Sequence, residues 1–253
     1  TVQIAEDTII DLPRLAFKGK KWQDVRSALN KGKRESITFR MTTLAEEPFA
    51  ILAQVRAISE QWVGEKGLPE MGFTLGGVDE ALDPAVKVGL AIDTTGSIHG
   101  VTSWLPVYSA GGQVRGWTLD VMRRRDDGFR SVMEFMIASA CLTFQQDGAA
   151  FVSLSGAPLA RSEQSGEELD RTDRLLDKLG ASLESFYGFR WLHAFKAKFA
   201  PRYEPIHLAF RDEADLPRIG VALTRAYLPD ATPRQLLAAG LSAHDEHAGA
   251  GAR

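Results

Sequence analysis

Three strand-like segments in immediate succession limit the folds open to this chain more than any other feature. Residues 86–92, 98–107 and 114–122 are rich in apolar and β-branched side chains. The links between them, Asp93-Thr94-Thr95-Gly96 and Ala110-Gly111-Gly112, are turn sequences. Parallel neighbours need crossovers of a dozen or more residues, so these segments predict consecutive antiparallel hairpins. A long helix pattern follows at about 128–146, then a short buried strand at 151–154.

A meander, a long helix and a neighbouring strand is the order of a GNAT-type acyltransferase. This predicts an α/β (α+β) fold with a mixed, mostly antiparallel sheet flanked by helices. In that fold two adjacent strands splay apart, and the groove between them offers backbone N–H groups and a helix N-terminus to an anionic acyl donor. The remaining pattern fits around it. Residues 2–12 read as a strand, 37–44 as another, and 47–65 as a helix with Phe49, Leu52, Val55, Ile58 and Trp62 on one side. Further helices are predicted at about 167–179, 192–199 and 216–227, with a strand at 206–210, and the small polar stretch from Ala243 is expected to be disordered.

A chain of 253 residues with 44% apolar content can bury a substantial core. Its net charge of −3 gives no overall sign of nucleic acid, so any basic surface must be local. Cys141 is the only cysteine and sits in an apolar helical pattern, which excludes a disulfide and favours a buried structural thiol. No apolar run approaches the roughly 20 residues of a membrane span, and no signal peptide opens the chain. The first residue is Thr1, and the opening reads as the middle of an element, so a piece of a longer protein is expected.

One local basic stretch does occur. FKGKKWQDVRSALNKGKR, residues 17–34, has Trp22, Val25, Ala28 and Leu29 at helical spacing. From Lys18 to Arg34 it holds seven basic residues against one acid, Asp24. Most charge runs are solvated helix faces. In an acidic chain this imbalance gives a phosphate-contacting helix equal weight.

LDVMRRRDDGFRSVMEFMI, residues 119–137, links the third meander strand to the long helix. Enzymes of this fold that use acetyl-coenzyme A carry a glycine-rich pyrophosphate loop here, R-x-x-G-x-G/A. This chain has only Gly128, with Arg130 and Ser131 where small residues are needed for close backbone approach. The pattern counts against a coenzyme A cradle.

Five stretches together resemble the catalytic, cytosolic domain of lysylphosphatidylglycerol synthase, the family also called multiple peptide resistance factor. They are DLPRLAFKGKKWQDVRSALNKGKR (11–34), WVGEKGLPEMGFTLGG (62–77), LDVMR (119–123), FVSLSGAPLA (151–160) and FYGFRWLHAFKAKFAPRYEP (186–205), in the family's order. The resemblance implies two GNAT-like folds joined by a basic helix. Residues 1–16 would end the first, 17–35 form the helix, 36–230 the catalytic fold and 231–253 a tail. It further implies transfer of an aminoacyl group, lysyl or alanyl, from aminoacyl-tRNA to phosphatidylglycerol or a related lipid hydroxyl. The expected partners are the charged tRNA, an anionic phospholipid and a membrane-embedded portion of the same parent protein. The expected location is the cytoplasmic face of a bacterial membrane, with this piece itself soluble. The donor ester is already activated, so neither a metal nor a cofactor is expected. Alignment, removal of one proton and oxyanion stabilisation suffice.

The candidate residues follow the motifs. Asp120 and Arg123 are the polar positions of the family's D-x-M-R pattern. The acid would orient the acceptor hydroxyl or bind the donor's α-ammonium, and the arginine would bind a phosphate; a plain ion pair at a strand end is the structural alternative. Ser155, beside Gly156 and Pro158, either donates to the oxyanion or satisfies a strand end. Lys196, Lys198 and Arg202 in FKAKFAPR, with Lys31, Lys33 and Arg34, are the expected phosphate contacts, against the alternative of solvated faces. His99 and His193 read as packed or surface histidines, and Gly76-Gly77 as a turn near the groove mouth. Three rivals remain: an acyl-coenzyme A N-acyltransferase, a non-catalytic tRNA- or membrane-surface module, and the same chemistry on another acceptor such as diacylglycerol or a peptide amine.

Overall fold

The computed structural model describes residues 1–66, 76–158 and 189–227. A seven-stranded sheet organises them in the order β2-β3-β4-β5-β6-β1-β7. Its strands are β1 (Val2–Asp11), β2 (Thr38–Thr42), β3 (Lys87–Ile92), β4 (Ile98–Tyr108), β5 (Val114–Arg124), β6 (Phe151–Pro158) and β7 (Arg202–Leu208). Every neighbouring pair is antiparallel except β5 and β6. The described helices are α1 (Gln23–Arg34), α2 (Phe49–Lys66), α3 (Val132–Gln146), α4 (Phe189–Ala197) and α5 (Leu216–Tyr227). This mixed, open sheet flanked by helices is the GNAT-like architecture that the element order predicted.

The β3–β4–β5 meander forms because both links are genuine turns. Gly96 and Gly112 take φ of 83° and 75°, a region that only glycine enters freely. Asp93 accepts the N–H groups of Thr95 and Ser97 at 2.8 and 3.0 Å, which stiffens the first turn. The N–H of Ser109 donates to the carbonyl of Gln113 at 2.8 Å and closes the second.

β5 leads into α3, which lies across one face of the sheet. Trp104, Met136, Ile137, Phe144 and Leu154 are at most 1% exposed there. Val25 and Ala28 of α1, and Phe195 and Phe199 beyond it, join the same core. A smaller cluster joins Val55 and Ile58 of α2 to Val88, Leu90 and Val101. Residues alternate across β4, so this second cluster lies on the opposite face.

Residues 1–16, read from the sequence as the end of a preceding fold, contribute β1, which is hydrogen-bonded between β6 and β7 within this sheet. The basic segment is a short 3-10 helix, Lys20–Trp22, followed by α1, and its apolar side packs on α3. Phe49 begins α2 but overhangs the apolar stripe and is 81% exposed. β7 starts at Arg202 and includes Pro205. A sheet edge tolerates that missing N–H, whereas an interior strand would not. The helix expected at 167–179 and the tail 231–253 fall outside the described residues. Among the described residues no helix is long and apolar enough to cross a membrane.

Candidate active site

Asp120 and Arg123 are three residues apart, and on a regular strand an odd spacing sends side chains to opposite faces. β5 is irregular at this point. Its pairing with β4 steps from Trp104↔Leu119 to Thr102↔Met122, so Asp120 and Val121 together oppose Ser103. This is a β-bulge, the device by which strands re-aim side chains beside functional sites. Ser103 Oγ accepts the Val121 N–H at 2.9 Å and keeps the bulge satisfied. The extra residue brings Asp120 and Arg123 to the same face, that of α2.

The Asp120 carboxylate accepts the backbone N–H of Gly76 at 2.8 Å. A Cβ at Gly76 would fall 2.2 Å from the other carboxylate oxygen, so the contact requires glycine. Burial raises the Asp120 pKa above the ordinary carboxylate value, with the negative charge of Glu80 adding to it. The Gly76 N–H, the Arg123 charge and the Ser103 hydroxyl oppose that rise. Arg123 is 5% exposed, donates to Ser59 Oγ of α2, and has its guanidinium 5.0 Å from the centre of the Trp62 ring. Its surroundings suit a residue that fixes the electrostatics of Asp120.

Next to this pair the sheet opens. β5 and β6 pair only through Gly116↔Phe151, Trp117↔Val152 and Thr118↔Ser153, and then part. Ser155 stands at the fork with φ 65°, a strained conformation for a residue with a side chain. Its hydroxyl donates to the Leu119 carbonyl on β5, and its N–H donates to Ser153 Oγ at 2.9 Å. Ser155 thus ties the two strands together where they diverge. Lys196 of α4 is 4% exposed and donates to the carbonyls of Ser155 and Gly156 at 2.9 and 3.4 Å. Burial lowers its pKa to about 8, against a smaller upward pull from Asp7.

The other expected contacts do not all converge here. Lys198 is paired with Glu134 of α3 at 2.8 Å. Arg202 is bonded to Asp11 at 3.0 Å and to Glu204, and lines a cleft of about 710 Å³ with Arg14, Lys18 and Lys21 beside the start of β6. Lys31 lies 3.7 Å from Glu35 and 5.3 Å from the centre of the Phe129 ring, which sets the C-terminal end of α1 beside the β5–α3 link. Lys33 and Arg34 are exposed at that end. Ser59, Trp62, Ser103 and Gly76 complete the surroundings of the Asp–Arg pair. Of these, Gly76, through the Gly-Gly dipeptide, and Trp62, through the helical stripe, left a signal in the sequence.

Residues 1–210 match the family model described as phosphatidylglycerol lysyltransferase, C-terminal. An uncharacterised protein of Corynebacterium glutamicum is 44% identical over 229 residues, which cover 90% of this chain and 28% of that protein. The phosphatidylglycerol lysyltransferase of Bacillus subtilis is 26% identical over 216 residues, covering 85% of this chain and 24% of the enzyme. The chain thus spans about a quarter of the length of these relatives. A solved C-terminal domain assigned to a lysylphosphatidylglycerol synthetase of Agrobacterium fabrum superposes with a TM-score of 0.72 at 25% identity, over 91% of this chain and 67% of that one. Together with the bulged β5 and the β5/β6 fork, these matches establish that the chain belongs to the phosphatidylglycerol lysyltransferase C-terminal family.

Proposed function

We propose that this chain is the catalytic portion of an aminoacyltransferase that moves an aminoacyl group, lysyl in the first instance, from aminoacyl-tRNA to a hydroxyl of phosphatidylglycerol. Residues 1–16 would then end a preceding unit that lends β1 to this sheet. The observation that carries the proposal is the buried Lys196 ammonium, bonded to the Ser155 carbonyl at the fork of β5 and β6. Family membership and the names of the relatives support the lysyl group and the lipid acceptor.

The reaction needs one bond made and one broken. The lipid hydroxyl oxygen attacks the ester carbonyl carbon, and the bond from that carbon to the terminal ribose oxygen of the tRNA breaks. Asp120, whose pKa burial raises above the ordinary carboxylate value, accepts the hydroxyl proton and returns it to the leaving ribose oxygen. Lys196, charged below about pH 8, offers a buried positive charge to the oxyanion. The Gly76 N–H and Arg123 favour the ionised form of Asp120, and Ser155 keeps the fork in shape.

The coenzyme A rival gains nothing from the β5–α3 link. Gly128 is its one glycine, and a Cβ there would meet the Arg125 carbonyl at 3.1 Å, so the glycine serves the link's own packing. The test is to incubate the protein with radiolabelled lysyl-tRNA and alanyl-tRNA and with phosphatidylglycerol vesicles. Labelled aminoacyl lipid is the expected product. Its absence together with micromolar binding of acetyl-coenzyme A would reverse the reading.

A further inference from the structure

His99 opens β4 and belongs neither to the apolar cores nor to the group around Asp120. Its ring is bonded at both nitrogens. Nε2 lies 3.0 Å from Asp93 Oδ2, and Nδ1 accepts the backbone N–H of Phe129 at 3.0 Å. A nitrogen that accepts carries no proton, so in this arrangement Nε2 is the nitrogen that donates, to Asp93.

Asp93 is itself fixed. Its other oxygen accepts the Thr95 hydroxyl at 2.6 Å and the N–H groups of Thr95 and Ser97 at 2.8 and 3.0 Å. The Thr95 hydroxyl first, and His99 next, keep this carboxyl well below the usual carboxylate range. The main chain of His99 adds a further contact, since its carbonyl accepts the Arg125 N–H at 3.1 Å. His99 therefore meets the β5–α3 link at both ends, at Arg125 and at Phe129. That link follows on Arg124, one residue beyond Arg123, and Phe129 is also the ring beneath Lys31.

We propose that His99, oriented by Asp93, is a positioning residue: it latches the β5–α3 link and so fixes the end of β5 that carries Asp120 and Arg123, and protonation of the imidazole opens the latch. A proton on Nδ1 sets two donors, Nδ1–H and Phe129 N–H, against each other. The ring then keeps Asp93 and releases Phe129. The charged groups on the packed elements are Asp93 on the β3–β4 turn, the Arg125–Asp127 pair at 2.6 Å, Asp126 held by Gln61 of α2 at 3.0 Å, and Arg130 before α3. Of these, Asp93 alone is bonded to the ring among the described residues.

The effect on turnover rests on the aminoacyl-transfer reading, whereas the latch does not. The test therefore reads amide exchange at Phe129 and transfer kinetics in the same chain. His99→Asn puts a carbonyl oxygen near the position of Nδ1 and cannot titrate; His99→Gln reaches Asp93 but not Phe129. Corrected for intrinsic exchange, wild-type protection at Phe129 should fall about tenfold or more from pH 8 to pH 5. It should stay flat in His99→Asn and be low throughout in His99→Gln. Where transfer is measured, His99→Gln should lower kcat with KM little changed, and His99→Asn should restore kcat and remove its loss in acid. Unchanged protection in His99→Gln, or the same pH response in His99→Asn as in wild type, overturns the latch. Normal kcat in His99→Gln overturns the positioning role. Absence of transfer in the wild type would refute the proposed function, and the exchange data would still decide the latch.

Discussion

On the α3 face of the sheet Trp104, Met136, Phe144 and Leu154 are at most 1% exposed and touch other apolar groups. On the α2 face β5 carries Asp120 and Arg123, backed by Ser103, Ser59 and the Gly76 N–H. Both faces bury apolar side chains, but they differ along β5. The first only removes apolar surface from water. The second, beside its own apolar cluster around Val88, Leu90 and Val101, also holds ionisable groups partly or wholly out of water at an energetic cost, as sites that trade stability for reactivity do. Mutations on the two faces should therefore separate stability from turnover.

The largest effect is expected on the apolar face. Phe144 is 1% exposed and stacks against Trp117 with centroids 4.9 Å apart. Phe144→Ala should cost about 3–5 kcal/mol of stability by denaturant unfolding, through lost transfer energy and the cavity left behind. Asp120→Asn should do the reverse. The asparagine keeps an acceptor for the Gly76 N–H while removing a half-buried charge. Because the folded pKa of Asp120 is raised, its favourable contribution is complete below the unfolded carboxyl pKa. That contribution is lost as pH rises through the folded value. At neutral pH the asparagine should therefore not lower the melting temperature, while turnover falls about 10²-fold or more. Near-normal turnover would reduce Asp120 and Arg123 to a structural ion pair.

Lys196 should separate the same two quantities along the pH axis. Its pKa is lowered from 10.5 to about 8 on burial. Between those values the unfolded chain binds more protons than the folded one, so stability should rise with pH by roughly 3 kcal/mol across that window. Turnover should fall over the first part of it, as the ammonium facing the oxyanion is lost. Lys196→Arg keeps the charge and should shift the alkaline limb upward, with lower activity from poorer fit. A stability curve flat above pH 8 would contradict the burial of the charge. An unmoved alkaline limb would contradict its role.

The same contrast explains what was legible in the sequence. The meander, α3 and β6 announce themselves through local patterns, because turn residues and apolar periodicity act over a few positions. The place of β1 between β6 and β7 depends on pairing across the whole chain and leaves no local mark. The motif named Asp120 and Arg123, but their common face rests on a bulge, since their spacing alone puts them on opposite sides. Lys196, Lys198 and Arg202 looked equivalent in FKAKFAPR. Their surroundings divide them into a buried cation at the fork, a partner of Glu134 and a partner of Asp11.

The smallest effect concerns α1, and here the structure selects the substitutions. Lys31 is held between Glu35 and the Phe129 ring, so changing it disturbs the link as well as the charge. Lys33 and Arg34 are exposed in the last turn, where positive charge also favours the helix dipole. Replacing both by Gln removes the charge without placing an acid at the negative helix end, and should cost less than about 1 kcal/mol of stability. If they contact tRNA phosphates, their loss should weaken binding of every tRNA alike, because phosphates carry no base identity. The log–log salt slope should flatten by about one to two units, since each lost contact releases one fewer counterion. Filter binding across a salt series reads both quantities. An unchanged slope and affinity would make this end of α1 a solvated face, and the donor contact would then move to the cleft lined by Arg14, Lys18, Lys21 and Arg202.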